Sequence, residues 1–126
     1  MAKILLVDDD PLQAFGRKFA LETRFHRVEC AADAAEALCL IEQPLFAKNL
    51  DLVISGIRMP GISGPAFIAE LHSRVHSVPV MVLESGSEGA ADYTGEWVRF
   101  LPKPVENADM IVAADQMLSF AERPTA

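Results

Sequence analysis

Five short, largely apolar runs separated by segments with helical periodicity restrict the fold of this chain more than any other feature. The runs are Ile4–Val7, Arg27–Ala31, Leu52–Ile54, Val78–Leu83 and Trp97–Leu101. Continuous apolar strands are typical of a parallel sheet that helices cover on both faces. Because strand and helix alternate five times, the pattern predicts an α/β fold with a (βα)5 doubly wound, five-stranded parallel sheet.

The segments between the runs carry helix start and stop signals. An aspartate caps a first helix that runs from Pro11 to about Thr23, since proline suits the first helical turn. Asp33 caps a second helix, which Pro44 helps to stop. Two more helices begin near Phe67 and Met110, and residues 85–95 carry at most one short helix. The apolar residues at helical spacing in the first helix are Leu12, Phe15, Phe19 and Ala20.

Length and charge limit the class of protein. The 126 residues suit one domain, predicted over 1–122 with a frayed tail at 123–126. The net charge of −7 disfavours direct contact with nucleic acid or an anionic membrane surface. We find no apolar run that could span a bilayer and no signal peptide, so we expect a cytoplasmic location. Cys30 and Cys39 have no metal-ligand spacing.

Polar side chains follow the predicted strands, at the edge where open α/β sheets bind their ligands. Clustered carboxylates can hold Mg²⁺, and a lysine ammonium can pair with a phosphoryl group. A simpler interpretation is that the acids cap a helix and the lysine pairs with one of them. The residues at these strand ends are Asp8, Asp9, Asp10, Ser55, Gly56, Glu84, Ser85 and Lys103.

Four ordered motifs resemble the receiver domain of bacterial two-component response regulators. The motifs are ILLVDDDPL at 4–12, DLVISGIRMPGISG at 51–64, VPVMVL at 78–83 and FLPKP at 100–104. The resemblance covers nearly the whole chain and implies a flavodoxin-like fold. It also implies phosphorelay signal transduction, in which an aspartate at the end of the third strand accepts a phosphoryl group while Mg²⁺ and a lysine neutralise charge.

The resemblance assigns roles residue by residue. Asp8, Asp9 and the backbone carbonyl of Arg58 match the Mg²⁺ ligands. Lys103 matches the lysine that binds phosphoryl oxygens. Phe100 matches the aromatic residue that reports the signalling state to the output face.

Two positions depart from the family pattern. The phosphoacceptor position falls on Gly56, and the hydroxyl position falls on Glu84, with Ser85 beside it. Glycine cannot form an aspartyl phosphate, and the loss of a carboxylate should weaken Mg²⁺ binding, so no cofactor is required. We therefore interpret the chain as a degenerate pseudo-receiver, not an enzyme, that acts through protein contacts. A pair between Glu84 and Lys103 would fix the on state or the off state.

Two other functions remain open at this point. One is a working receiver with a non-standard nucleophile, either Ser55 or Asp9. Ser55 should point to the face opposite position 56, because side chains alternate along a strand, and its hydroxyl would need an activating base. The other is a small-ligand binder or unrelated enzyme on the same sheet, which the acids after the first strand disfavour.

The resemblance also implies the kind of partner. We expect a histidine kinase or an output domain to bind the receiver, with no direct contact to nucleic acid or membrane. In the family, the fourth helix, fifth strand and fifth helix form the partner face, which would also serve a homodimer. The interval from Glu84 to Lys103 is shorter than is usual, so this fourth helix should be short, mobile or partly unwound.

Overall fold

The computed structural model describes residues 2–24, 26–56, 64–75, 77–84, 98–102 and 106–121. Five strands form one parallel sheet in the order β2-β1-β3-β4-β5. Each overlaps a predicted strand, so the predicted sheet is confirmed. The strands are β1 (Lys3–Val7), β2 (Arg27–Ala31), β3 (Leu52–Gly56), β4 (Val80–Glu84) and β5 (Val98–Pro102).

Helices cover both faces of this sheet. They are α1 (Pro11–Glu22), α2 (Ala34–Ile41), α3 (Pro44–Asn49), α4 (Gly64–Arg74) and α5 (Asn107–Ala121). Helices α1 and α5 pack on one face, and α2, α3 and α4 pack on the other. The predicted short helix at 85–95 and the tail lie outside the described residues. Within the described ranges, no helix combines the length and apolarity needed to cross a membrane.

Alternating side chains on the strands divide the core into two layers. On β1, Ile4 and Leu6 face α1 and α5, whereas Leu5 and Val7 face α2 and α4. All four side chains are fully buried. Burial on both faces explains why the strand reads as a continuous apolar run in the sequence.

Helix α2 ends before Pro44, but the sequence prediction did not include the helix that begins at this proline. Helix α2 ends at Ile41, and Pro44 is the first residue of the separate helix α3. Proline suits this position because the first turn needs no N–H donor and the ring fixes a helical φ. The short helix brings Phe46 into the core beside α2 and α4.

Helix α1 turns its apolar stripe toward solvent. Leu12, Phe15 and Phe19 are exposed to 85%, 71% and 66%. The opposite side of the helix packs on the sheet, because it combines small and apolar residues with an arginine that pairs with a buried acid. The buried residues of α1 are Ala14, Arg17 and Leu21.

Candidate functional site

The ends of β1 and β3 lie side by side at the carboxyl edge of the sheet. Val7 pairs with Ser55 in the parallel register, so the next residues, Asp8 and Gly56, are level with each other. By strand alternation, positions 8 and 56 are on the same side as Leu6 and the helices α1 and α5. This placement makes the two positions neighbours at one edge.

Both carboxylate oxygens of Asp8 are engaged within the protein. Oδ1 accepts a hydrogen bond of 2.9 Å from the backbone N–H of Asp10. Oδ2 accepts one of 2.7 Å from Nη1 of Arg17. The N–H of Asp8 donates to the carbonyl of Ala31 on β2 at 3.0 Å. Asp8 is thus a buried carboxylate with a hydrogen bond on each oxygen, at the start of the β1–α1 loop.

Arg17 is the residue of this site that sequence reasoning missed. It lies on the packed face of α1, between Ala14 and Leu21, and is only 5% exposed. Arginine is almost never fully buried unless an acid pairs with it. The signal in the sequence was that Ala14, Arg17 and Leu21 lie on one face of the helix. The apolar residues Leu12 and Phe19 on the other side made this face less obvious.

The two acids that follow Asp8 have different environments. Asp10 caps α1, because its Oδ1 accepts the N–H groups of Leu12 at 3.1 Å and Gln13 at 3.3 Å. Asp9 is exposed. In the described part of the chain, no three His, Cys, Asp or Glu side chains are grouped so that they could hold a metal ion.

Gly56 ends β3 and is half-buried, without a left-handed φ. A Cβ atom built there would meet nothing within 4 Å, so an alanine side chain would fit. Its neighbour Ser55 is buried, and the Oγ of Ser55 donates to the carbonyl of Gly56 at 2.9 Å. Ser55 alternates with Gly56 and therefore lies toward α2 and α4, with Val53.

Several predicted site residues lie beyond what the structure describes. Arg58, Ser85 and Lys103 are outside the described residues. Glu84 belongs to β4 and Phe100 to β5, and in the parallel register Glu84 pairs with Pro102 and Phe100 with Val82. Their side chains are outside the described part of the structure. The roles assigned to these five residues therefore stay predictions.

Comparisons of the sequence with known proteins agree on one family. The model of the response regulator receiver domain matches residues 4–115. The sensor kinase CckA of Brucella abortus is 29% identical over 93% of this chain, which spans 12% of that kinase. The transcriptional regulatory protein GlrR of Escherichia coli is 33% identical over 93% of this chain, which spans 26% of it. Protein PilH of Pseudomonas aeruginosa is 26% identical, and the alignment covers 94% of this chain and 99% of PilH.

Solved structures agree in fold with this assignment. A receiver domain from Clostridium thermocellum has a TM-score of 0.86 and 27% identity, covering 95% of this chain and 96% of that one. The receiver domain of the hybrid histidine kinase CckA has a TM-score of 0.76 and 32% identity, covering 93% and 99%. Since the family model spans most of the sequence and the five-stranded parallel sheet has the same architecture, the chain belongs to the response regulator receiver domains of two-component signalling.

Proposed function

We propose that this receiver domain signals without phosphorylation, as a non-enzymatic cytoplasmic module that contacts other signalling proteins. One observation carries the proposal: Gly56 ends β3 level with Asp8, at the edge where the family places its acceptor aspartate. Glycine has no carboxylate that could attack a phosphoryl donor. The strand register supports the alignment that assigns position 56 to the acceptor.

The two alternative nucleophiles have different surroundings. Ser55 is buried, and its Oγ donates to the adjacent carbonyl on the side of the sheet away from α1. A serine nucleophile needs a base within hydrogen-bond reach. Asp9 is exposed at the start of the loop. Its carboxylate is therefore the more accessible of the two, and the experiment must separate it from Ser55.

The test is incubation with acetyl phosphate and Mg²⁺, followed by intact-mass measurement at neutral pH. We expect no phosphoryl adduct on the wild-type chain, while a receiver that has an acceptor aspartate, treated in parallel, gains one. An adduct on the wild type would overturn the proposal. Its loss in Ser55→Ala or in Asp9→Asn would then identify the nucleophile and establish a working receiver.

The solvent face of α1 supports the part of the proposal that concerns protein contacts. Leu12, Phe15 and Phe19 lie along one side of the helix and are largely exposed. Contiguous exposed apolar side chains are a common mark of protein interaction sites. We therefore propose that a histidine kinase or an output domain contacts this face. CckA is a kinase and GlrR a transcriptional regulator, so the relatives include both kinds of protein.

A photo-crosslinking amino acid placed at position 15 tests this contact in cells. The expected product is an adduct with a two-component protein, identified by mass spectrometry. The same amino acid at Leu45 is the matched control, because Leu45 is also a largely exposed apolar residue but lies on α3, across the sheet. Equal yields of this adduct from positions 15 and 45 would contradict a specific surface on α1.

A homodimer through the fifth strand, the fifth helix and the preceding segment is proposed from the family resemblance. Strand β5 is at the edge of the described sheet. Light scattering after size-exclusion chromatography tests the dimer. A monomer mass at all concentrations would refute the homodimer, and the domain would then signal through contacts with other proteins alone.

A further inference from the structure

Helix α1 buries a positive charge beneath the carboxyl edge of the sheet. Arg17 lies on the packed face of the helix and reaches upward to Asp8, with 2.7 Å between Nη1 and Oδ2. The two side chains are exposed to only 6% and 5%. A charge at this depth is costly unless a charged partner and hydrogen bonds compensate it. The pair is therefore a specific structural element of the domain.

The engagement of Asp8 disagrees with the metal site that the family implies. Mg²⁺ needs octahedral oxygen ligands and usually takes one or two carboxylates from the protein. Here each oxygen of Asp8 already accepts a hydrogen bond, Oδ2 from the charged Arg17 and Oδ1 from the N–H of Asp10, so a metal ion would have to compete with a cation 2.7 Å away. Gly56 contributes no carboxylate, and among the described residues of the predicted set only Asp9 remains as a side-chain ligand. The residues that the structure describes do not fit a Mg²⁺ site.

We propose that Arg17 is a built-in cation that replaces the divalent ion at this edge. Its guanidinium neutralises Asp8, where three successive aspartates would otherwise repel one another in a chain of net charge −7. The inference rests on the proposed function, because both place the family's phosphorylation edge at the ends of β1 and β3. It adds that the edge keeps one arrangement whether or not Mg²⁺ is present.

Arg17 acts here as a positioning residue, through a chain of three contacts. It holds Oδ2 of Asp8, whose Oδ1 fixes the N–H of Asp10. The carboxylate of Asp10 in turn caps α1 through the N–H groups of Leu12 and Gln13. The β1–α1 loop is thus tied at both ends to the helix that supplies the cation. In this domain the loop is therefore held by a buried side chain of the protein and needs no bound metal ion.

The experiment follows the melting temperature during a MgCl₂ titration, with NaCl keeping the ionic strength constant. The wild type should shift by less than about 1 °C, because Asp8 is already paired. Arg17→Met should melt lower and then gain on the order of 5 °C with Mg²⁺ in a saturable way, since the ion now finds an uncompensated carboxylate. The double variant Arg17→Met, Asp8→Asn should lose this response.

Arg24→Met is the matched control, because Arg24 follows α1 and also pairs with an acid, Asp115, but is exposed. It should not gain a response to Mg²⁺. A saturable shift of the wild type as large as that of Arg17→Met would overturn the proposal. So would a folded Arg17→Met variant that ignores Mg²⁺. A merely structural arginine would lower the melting temperature without creating a metal response.

Gly56→Asp with Arg17 intact keeps the proposal testable if Arg17→Met does not fold. A Cβ at position 56 meets nothing within 4 Å, so we expect this variant to fold. We expect no Mg²⁺ response while Arg17 occupies Asp8, and a saturable response would refute the inference. The two proposals can fail independently of each other. A phosphoryl adduct on a wild-type chain whose melting temperature does not respond to Mg²⁺ would refute only the proposed function. A response of the wild type to Mg²⁺ without any adduct would refute only the proposal that Arg17 replaces the ion.

Discussion

Arg17 on α1 and Asp8 after β1 form an ion pair of 2.7 Å that joins a helix to the end of a central strand. The two are nine positions apart in sequence, and the whole first turn of the helix lies between them. The pair closes the β1–α1 connection from beneath. The pair thus links the first strand and the first helix at the edge of the sheet where receiver domains have their phosphorylation site.

Removal of the arginine should destabilise the fold strongly. Arg17→Met leaves the Asp8 carboxylate buried without its charged partner, and we expect the free energy of unfolding to fall by about 3 kcal/mol. Urea denaturation of the purified domain measures this change. The double variant Arg17→Met, Asp8→Asn removes the uncompensated charge and should recover part of the loss. Equal losses in the single and double variants would show that packing of the arginine side chain, rather than its charge, sets the cost.

Gly56 should tolerate a side chain. Its φ is not left-handed and a Cβ meets nothing within 4 Å. Gly56→Ala should therefore raise the free energy of unfolding by about 0.5 kcal/mol, because alanine lowers the conformational entropy of the unfolded chain. Gly16→Ala is the companion variant, because Gly16 lies inside α1 with the same open space. We expect it to add up to about 1 kcal/mol from helix propensity. A loss of stability in Gly56→Ala would mean that the backbone there requires glycine.

The cap of α1 should contribute measurably to stability. Asp10→Ala removes the acceptor of the Leu12 and Gln13 N–H groups and should cost about 1 kcal/mol in urea denaturation. Asp10→Ser keeps a capping oxygen and should retain most of the stability. If the two variants lose the same amount, the capping hydrogen bonds do not stabilise this helix end.

The two cysteines should react with iodoacetamide at different rates. Burial raises the pKa of the Cys30 thiol, and the half-buried position also limits access, whereas Cys39 is exposed. Because the thiolate is the nucleophile, a raised pKa leaves less of the reactive form at pH 8, and Cys30 should be modified more slowly. Its rate should still be rising above pH 9.

Mass spectrometry of the variants Cys39→Ser and Cys30→Ser, each labelled under native conditions, separates the two rates. Faster modification of Cys30 than of Cys39 at pH 8 would contradict the burial of the first thiol. A plateau of the Cys30 rate below pH 9 would contradict its raised pKa.

The sheet was predictable because burial on both faces imposes a visible pattern. Ile4–Val7 and Leu52–Ile54 read as strands since neither face of a central parallel strand meets water. The aspartates at 10 and 33 were recognisable as caps because capping depends on residues close in sequence. Local rules therefore predicted the elements and their order, and the parallel register then placed positions 8 and 56 side by side.

Orientation of α1 was not predictable by the same rules. Apolar residues lie on both sides of this helix, and periodicity alone favoured the side with Phe15 and Phe19. The packed side was decided by a contact between Arg17 and Asp8, which the sequence does not display as a motif. Helix α3 was missed for a related reason, since Pro44 suits the end of one helix and the start of another equally well.

The open space around position 56 bears on how easily evolution could restore an acceptor aspartate there. A single base change converts two of the four glycine codons into an aspartate codon, and a Cβ atom at position 56 would meet nothing within 4 Å. Under the proposals made above, however, that reversion alone restores nothing, because Arg17 keeps Asp8 from a metal ion. Loss of Arg17 in turn would leave a buried acid unpaired in the intermediate sequence. The ion pair would therefore make the loss of phosphorylation difficult to reverse, because recovery of a metal-binding site would require changes at both position 56 and position 17.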